Sequence, residues 1–356
     1  VNLYKDGTLI DEAVVEVNDD ALSEISVSFT EQIVNSGTYF FTVRAAYVVK
    51  EDGPNFGNTF TSDMVVSPDF KYTSTEVEWI DITSASQWIE IANTSAQGTD
   101  YESDYDAQYV AWSKNYRLTE DIDFSNLTAE EQAKTKSWGN TNVHFSGILD
   151  GNGHKITGLT LSSGDGGLIA YNGAQGTVKN LIVDSANVLF SDNAAVICWM
   201  NYGTITGSAV LNTNITADTG AIIGGMVSRN YGLIEKSYVQ GGKLTANSTT
   251  ANGHGGFVGG NYGQIRECYT TMDVVTKSYN AGGFAGWADS SGDHVASFED
   301  CFALGNVSAA NGWSGGFVGR VNSASCTFTN CYAANTVISE KKPDKSFGFT
   351  GALGSE

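Results

Sequence analysis

The stretch Gly255-Gly256-Phe257-Val258-Gly259-Gly260-Asn261-Tyr262-Gly263-Gln264-Ile265-Arg266-Glu267-Cys268-Tyr269 recurs along the chain and decides its fold. The other copies, some of them weaker or partial, begin at Gly166, Ala194, Gly224, Gly282, Gly315 and Phe347. From 166 the starts fall at 194, 224, 255, 282, 315 and 347, so the steps are 28, 30, 31, 27, 33 and 32 residues. A period in this range marks a repeat architecture, in which each repeat buries its apolar face against its neighbours.

Several repeat architectures share this period, and the residue types within each repeat distinguish between them. Each repeat holds two or three short β-prone runs separated by Gly, Asn, Asp and Ser. No repeat holds a window with apolar residues at helical spacing, which disfavours helical repeats. The sequence therefore predicts a β-solenoid whose coils lie about 4.8 Å apart.

Aligned repeats give columns that predict which residues face the interior. Two columns are apolar in every coil and are expected to form the core: Leu168, Val196, Met226, Phe257, Phe284, Phe317, Phe349 and Val178, Ile205, Ile234, Ile265, Phe298, Phe328. A third column consists mostly of small residues and is expected to form a tight interior row of free thiols and hydroxyls: Leu181, Ser208, Ser237, Cys268, Cys301, Cys331.

The motif at 255–269 resembles the GLUG repeat family, and the resemblance extends over roughly 166 to 353. That family occurs on bacterial surface proteins and in the non-catalytic part of certain immunoglobulin A proteases. The resemblance implies a right-handed parallel β-helix. It supplies no catalytic residues that could be transferred to this sequence.

Residues 1–73 differ in composition and are predicted to form an antiparallel β-sandwich. The run Leu3-Tyr4-Lys5-Asp6-Gly7 and the alternating run Gly37-Thr38-Tyr39-Phe40-Phe41-Thr42-Val43-Arg44-Ala45 resemble strands of a fibronectin type III or immunoglobulin-like domain. Another strand is expected at residues 25–29. The first two strands of such a domain are missing, which indicates an incomplete domain.

The rest of the chain is divided into two segments. Residues 74–140 are predicted to begin and cap the β-helix, with a helix at residues 84–92 that a serine caps. Residues 141–356 are predicted to be the parallel β-helix itself, with about seven to nine coils. The overall prediction is an all-β protein with a helical cap at the start of the β-helix.

Charge and composition exclude several classes of function. The formal charge is −21, with 19 Lys and Arg against 40 Asp and Glu, so no nucleic-acid-binding surface is expected. No apolar run is long enough to span a membrane, so this segment is not expected to insert into one. Five cysteines leave at least one thiol unpaired, and a Cys326–Cys331 bridge remains open.

Acidic residues give one weak metal-site candidate. Asp100, Glu102, Asp104 and Asp106 alternate in a predicted loop, and oxygen ligands at every second position suit calcium. The EF-hand glycine and the closing glutamate are missing, so a solvated acidic loop is the favoured interpretation. No other cofactor is expected.

One column varies in residue type and is predicted to face solvent: Tyr171, Trp199, Arg229, Gly260, Trp287, Arg320. Exposed tryptophan and tyrosine rings can stack on sugars. The five side chains other than Gly260 are the candidate ligand-binding residues. Lateral packing against a loop or neighbouring coil is the alternative interpretation.

These observations favour a non-catalytic, extracellular, bacterial cell-surface protein that is adhesin-like and binds glycans or a host or matrix surface. A polysaccharide-degrading lyase or glycoside hydrolase is the second hypothesis, and a purely structural stalk is the third. Catalysis is disfavoured because the coils lack a column of paired acids with a basic residue close by.

Overall fold

The computed structural model describes residues 1–5, 8–12, 37–44, 46–48, 59–61, 64–67, 70–72, 78–94, 101–162, 166–190, 193–218, 222–249, 252–341 and 343–353. The chain divides into two compact units, Val1–Val77 and Glu78–Glu356. Within the described ranges, no helix has both the length and the apolar character needed to cross a bilayer.

The first unit contains short antiparallel strands. Gly37–Val43 pairs with Asn2–Lys5, which pairs in turn with Thr8–Glu12. The remaining strands of this unit are Ala46–Val48, Thr59–Thr61, Val65–Val66 and Phe70–Tyr72. This small sheet is compatible with part of a sandwich. The strand predicted at residues 25–29 lies outside the described residues.

The second unit is a parallel β-solenoid, which confirms the predicted fold class. In its described part, the coils from Thr204 onward pass in turn through five parallel sheets, which are numbered in the order that a coil visits them, whereas the coils that start at Ile148 and Thr177 have no strand in sheet 4. Sheet 1 contains Trp79–Ile82, Asn115–Leu118, Ile148–Asp150, Thr177–Lys179, Thr204–Thr206, Leu233–Glu235, Gln264–Arg266, Ser297–Glu299 and Thr327–Thr329. Sheet 2 contains Ile122–Asp123, Lys155–Thr157, Ile182–Asp184, Ala209–Leu211, Tyr238–Gln240, Tyr269–Thr270, Phe302–Ala303 and Tyr332–Ala333.

The other three sheets complete each coil before the chain returns to sheet 1. Sheet 3 contains Thr160–Leu161, Asn187–Phe190, Asn214–Ala217, Lys243–Ala246, Asp273–Thr276, Val307–Ala309 and Val337–Ser339. Sheet 4 contains Ile223–Gly224, Asn252–Gly255, Tyr279–Gly282, Ser314–Gly315 and Ser346–Phe347. Sheet 5 contains Ile169–Asn172, Cys198–Asn201, Val227–Asn230, Val258–Asn261, Ala285–Ala288 and Val318–Val321.

The solenoid begins earlier than the sequence indicated. Trp79–Ile82 already pairs in parallel with Asn115–Leu118, which pairs with Ile148–Asp150. The parallel stacking therefore extends into residues 74–140, the segment predicted to begin and cap the β-helix. Helices inserted between the first strands interrupt the repeat period, which is why the sequence pattern did not reveal these coils.

The inserted helices lie within the segment predicted as the cap. Helix α1 spans Ala85–Ala92, and the Ser84 side chain accepts a hydrogen bond from the Gln87 backbone N–H, as predicted for a capping serine. Helix α2 spans Tyr101–Trp112 and helix α3 spans Ala129–Gln132. The 3-10 helices are Phe124–Asn126 and Pro343–Lys345.

The predicted phenylalanine core is confirmed. Phe284 is fully buried and stacks between Phe257 and Phe317, with ring centroids 4.6 and 4.7 Å apart. The second apolar column is also in register, since Ile234 pairs with Ile205 and Ile265 along sheet 1. These stacks bury one large apolar side chain per coil at the same depth.

One coil was aligned wrongly by a single residue. Cys198 pairs with Val227, so Ile197 and not Val196 occupies the position of Met226. Both Val196 and Ile197 are fully buried. The cause is that this copy has Ala-Ala where strong copies have Gly-Gly, so the sequence contains no marker that fixes the register.

An asparagine ladder runs through the interior beside the core. Asn172, Asn201, Asn230 and Asn261 have no exposed surface, and each amide nitrogen donates to the amide oxygen of the next residue in the ladder. The three donor–acceptor distances are 2.7, 2.7 and 2.9 Å. These bonds satisfy polar groups that would be costly to bury alone.

The small-residue column lies where it was predicted. The Ser237 hydroxyl accepts from the Ser208 backbone N–H at 3.1 Å, and Cys268 and Cys301 are buried in the following coils. Cys331 at the end of the row is half-buried. All five cysteines are described as free thiols, so Cys326 and Cys331 are not bridged here.

Candidate ligand-binding face

The predicted outward column lies on sheet 5, with one correction. Met200 and not Trp199 pairs with Tyr171 and with Arg229, because of the one-residue shift in that coil. Arg229 then pairs with Gly260, Gly260 with Trp287, and Trp287 with Arg320. Trp199 therefore lies one position before this column.

The predicted ligand-binding residues divide into separate groups. Tyr171 is 8% exposed and has the half-buried Trp199 packed against it edge-on, with ring centroids 5.1 Å apart. At this end of the face, the two rings pack against each other and are not freely exposed to solvent. Trp287 and Arg320 lie farther along the solenoid and line a common concavity.

A tyrosine ladder connects these two groups. Tyr202, Tyr231 and Tyr262 are half-buried and stack in consecutive coils, with ring centroids 5.0 and 4.6 Å apart. His144 extends the stack beyond Tyr202 at 5.8 Å. Because neighbouring rings cover each other's faces, the ladder presents ring edges and hydroxyl groups along the surface.

Burial and a nearby guanidinium shift the pKa values of the ladder tyrosines in opposite directions. Burial raises the pKa of Tyr231, and the nearby Arg229 guanidinium offsets part of that rise. Burial likewise raises the pKa of Tyr262, and Arg229 again acts in the opposite direction. All three ladder hydroxyls are therefore neutral donors and acceptors near neutral pH.

Trp287 is supported by two glycines. A β-carbon added at Gly260 would lie 2.5 Å from Trp287 Nε1, and one added at Gly253 would lie 2.6 Å from Trp287 Cε3. Any other residue at these positions would displace the indole. Because Gly260 has no side chain, the indole of Trp287 in the next coil can occupy the space beside it.

The tryptophan concavity is the space of about 320 Å³ in front of this ring. Its lining is Tyr262, Asn280, Trp287, Asp289, Arg320 and Asn322. Asp289 accepts hydrogen bonds from the Ser290 backbone N–H at 2.8 Å and from Asn322 Nδ2 at 3.1 Å. The Arg320 guanidinium lies 5.0 Å from the centre of the Trp313 ring.

Asn280 is the most buried polar side chain of this lining. It is 4% exposed, and its backbone has a φ of 54°. Its Oδ1 accepts no hydrogen bond from any residue that the structure describes. A buried acceptor without a donor is unfavourable, so a ligand that supplied a donor here would bind with a gain.

A short hairpin interrupts the repeat beside this concavity. Ser290–Ser291 pairs with His294–Val295, and the His294 ring packs edge-on against Tyr231 at 5.7 Å. The hairpin, Tyr231 and Tyr262 border a second space of about 390 Å³, here called the histidine concavity. Asp293, His294 and Gln264 contribute its polar side chains. Tyr262 lines both concavities.

The predicted calcium loop is not a loop. Glu102, Asp104 and Asp106 lie in helix α2 instead. Asp100 lies outside the described residues, and calcium binding by these acids stays a prediction. Among the described residues, no three His, Cys, Asp or Glu side chains cluster as a metal site requires.

A second aromatic row was missed in the sequence. Tyr238, Tyr269, Phe302 and Tyr332 stack along sheet 2, with successive centroids 4.9, 4.9 and 5.2 Å apart. The aromatic residue that follows the small-residue column in four copies was the available signal. On the neighbouring sheet 1, Arg266 and Glu235 form an ion pair of 2.6 Å.

Comparison with known protein sequences gives one partial match to a named relative. No family model matches the chain, so neither the GLUG nor the fibronectin type III resemblance gains support from one. Halomucin from Haloquadratum walsbyi is 35% identical over 124 residues, which cover 31% of this chain and 1% of halomucin. This chain thus corresponds to a very small part of that relative's length.

A solved structure is similar over most of the chain. A protein from Bacteroides ovatus, described as a candidate immunoglobulin A1 protease, aligns with a TM-score of 0.56 and 17% identity. The alignment covers 79% of this chain and 85% of the other. At this identity the likeness concerns the fold alone. The chain is thus a repeat protein that contains a parallel β-solenoid, and its fold is shared with that protein.

Proposed function

We propose that this protein is a non-catalytic, extracellular surface protein of the adhesin type that binds glycans through the face containing Trp287. The single observation that carries the proposal is the tryptophan concavity, where an indole ring seated on two glycines adjoins amide, carboxylate and guanidinium groups. An aromatic wall with a few convergent polar groups is the usual composition of a small-ligand site.

The surrounding features support an extracellular display role. The solenoid is rigidly repetitive, and the similarity to halomucin supports a location outside the cell. The charge of −21 disfavours nucleic acid as a partner. The bacterial surface assignment itself rests on the GLUG-like motif at residues 255–269.

The composition of the concavity favours binding over catalysis. Among its described lining residues, Asp289 is the single carboxylate. Glycoside hydrolysis by the common mechanisms needs two carboxyl groups across the scissile bond. Asp289 also accepts two hydrogen bonds from the protein, which suits a fixed acceptor.

The test combines a glycan array with activity assays. Soluble protein should bind at least one glycan class, and reducing-sugar and unsaturated-product assays on pectin, alginate and host glycans should remain at background. Trp287→Ala should weaken binding of any array ligand by about fivefold or more, because ring stacking is lost.

The matched control is Trp79→Ala, which removes a half-buried tryptophan from the first strand of sheet 1. Lys277→Ala serves as an exposed-surface control. Equal losses in Trp287→Ala and Trp79→Ala would exclude the Trp287 face as the binding site. Robust product formation in either assay would replace the binding proposal with an enzymatic one.

A further inference from the structure

We infer that the two concavities are adjoining subsites for a neutral, hydroxyl-rich glycan of at least two pyranose units, which lies across Tyr262. This inference rests on the proposed glycan-binding function and adds the chemical class and minimum length of the ligand. Two observations support it. One is the set of hydrogen-bonding groups in the lining that have no partner in the protein, and the other is the position of the hairpin beside the two concavities.

The tryptophan concavity offers unpaired acceptors together with an unpaired donor, since Trp287 Nε1 is buried without a hydrogen-bond partner among the described residues. Asn280 Oδ1 has no donor among the described residues although the side chain is 4% exposed. Each Asp289 oxygen accepts one bond from the protein, which leaves lone pairs for further donors. A ligand that pairs all of these groups must therefore both donate and accept hydrogen bonds, as a hydroxyl does.

This requirement separates neutral from acidic sugars. A pyranose hydroxyl donates, whereas an ionised carboxylate or sulfate ester only accepts, so an acidic group would leave Asn280 unpaired and would face Asp289. The single guanidinium of the lining, Arg320, lies against Trp313, and Asp289 balances its charge within the same space. The net charge of −21 adds repulsion of polyanions at longer range.

The second subsite follows from the position of the hairpin. The hairpin starts beside Asp289 and reaches back to Tyr231, two coils earlier, where His294 packs on the ring edge. Spaces of about 320 and 390 Å³ thus both border Tyr262. Coils spaced about 4.8 Å apart advance by roughly the length that one pyranose unit adds to an extended chain.

The histidine concavity has the same chemical character. Its polar lining consists of the Tyr231 and Tyr262 edges, the Gln264 amide, the His294 ring and the Asp293 carboxylate. These groups can exchange hydrogen bonds with hydroxyls in both directions, and Asp293 again opposes an anionic ligand. A linear neutral chain can therefore occupy both spaces, whereas a single sugar occupies one.

The experiment measures binding by calorimetry to the intact chain with two probe panels. The neutral panel contains malto-, cello-, manno- and galacto-oligosaccharides of one to six units, and the acidic panel contains oligogalacturonides and sialyllactose. We expect binding in a neutral series, with affinity rising about tenfold or more from monosaccharide to disaccharide, because the second unit adds hydrogen bonds.

Asp289→Asn supplies the decisive variant, since it retains the shape but removes the charge. Affinity for the bound neutral series should fall by about tenfold or more, because charge-assisted hydrogen bonds are lost. Asp218→Asn is the matched control: Asp218 is exposed and also accepts an amide hydrogen bond, from Asn247 at 3.0 Å. Its effect should be negligible, and thermal melts of both variants establish that they are folded.

The outcomes distinguish the glycan-binding function from the ligand class and the paired subsites. No binding by either panel would count against the glycan-binding function itself. Binding of acidic glycans that Asp289→Asn strengthens would leave that function standing and overturn the neutral class. Equal affinity for one and two units would overturn the paired subsites, and neutral binding unchanged by Asp289→Asn would overturn the location.

Discussion

The interior of the solenoid and the face around Trp287 are built from the same repeats but follow opposite rules. Inside, each coil copies its neighbour, so Phe257, Phe284 and Phe317 stack ring on ring. On the outward column, Arg229, Gly260 and Trp287 differ in every coil. Positions that repeat in every coil therefore stabilise the fold, whereas positions that depart from the repeat can vary and are available for binding.

The largest effect is expected when the regular interior is broken. Phe284→Ala removes a fully buried ring from the middle of the stack and should lower the free energy of unfolding by about 3–5 kcal/mol. The midpoint of urea unfolding measures this change. Phe347→Ala, at a phenylalanine that is 48% exposed, is the matched control and should have a much smaller effect. Similar losses in both would contradict the division between interior and surface.

A smaller loss is expected in the asparagine ladder. Asn230→Ala removes the side-chain acceptor of Asn201 Nδ2 and the donor to Asn261 Oδ1, so the free energy of unfolding should fall by about 1–3 kcal/mol. Urea titration of the variant gives the value. Asn247→Ala breaks an exposed amide–carboxylate bond and should be close to neutral. If Asn230→Ala lowered the free energy of unfolding no more than Asn247→Ala does, the ladder would not contribute to the stability of the interior.

The outward ion pair should contribute least, and its contribution should depend on pH. The hydrogen bond and charge of Arg266 lower the pKa of Glu235. A lowered carboxyl pKa stabilises the folded state above the unfolded value of about 4.3 and is lost as the pH falls through the folded value. Glu235→Gln should therefore be less stable than wild type at pH 7 by at most about 1 kcal/mol.

The same difference should shrink toward zero as the pH is lowered through the acid range, where Glu235 becomes neutral in both states. Urea midpoints at a series of pH values from 7 downward measure it. Glu340→Gln, at an exposed glutamate, should show no such trend. A difference that grew on acidification would contradict the assigned ion pair.

The rate of thiol alkylation compares interior and surface cysteines without any mutation. Burial raises the pKa of Cys198 to about 12, and hydrogen bonding to Cys268, together with burial, raises the pKa of Cys301. Alkylation of the native protein should therefore modify the half-buried Cys326 before these two thiols. Unfolding without reductant should make all five cysteines reactive. Three or fewer modified residues in the intact mass would reveal a disulfide bridge.

The interior was predictable because its physical requirement repeats. An apolar residue at a fixed place in each copy of the motif is sufficient to identify Phe284 and Ile234 as core. The prediction shifted by one residue at Ile197, where the Gly-Gly marker is absent. It also missed the coil at Trp79–Ile82, because helices separate that strand from its partner at Asn115–Leu118.

The candidate site was less predictable because it depends on contacts between coils. Trp287 and Arg320 could be named from their variable column, but the seat on Gly253 involves another sheet. Asn280 gave no sequence signal, since its role depends on burial and on a missing donor. Helix α2 lacks an apolar stripe, so the sequence contained no helical signal there, and its alternating acidic residues led to the prediction of a calcium-binding loop.

The parallel register also determines how the molecule would respond to tension. Each interior strand of sheet 1 is hydrogen-bonded only to the coils immediately before and after it, as Leu233–Glu235 is to Thr204–Thr206 and Gln264–Arg266. A pull on one end of the stack therefore loads a single coil at a time. Each coil that peels away releases about 100 Å of extended chain, at roughly 3.4 Å for each of its thirty or so residues. Such a protein would yield to force in small successive steps and retain its remaining coils.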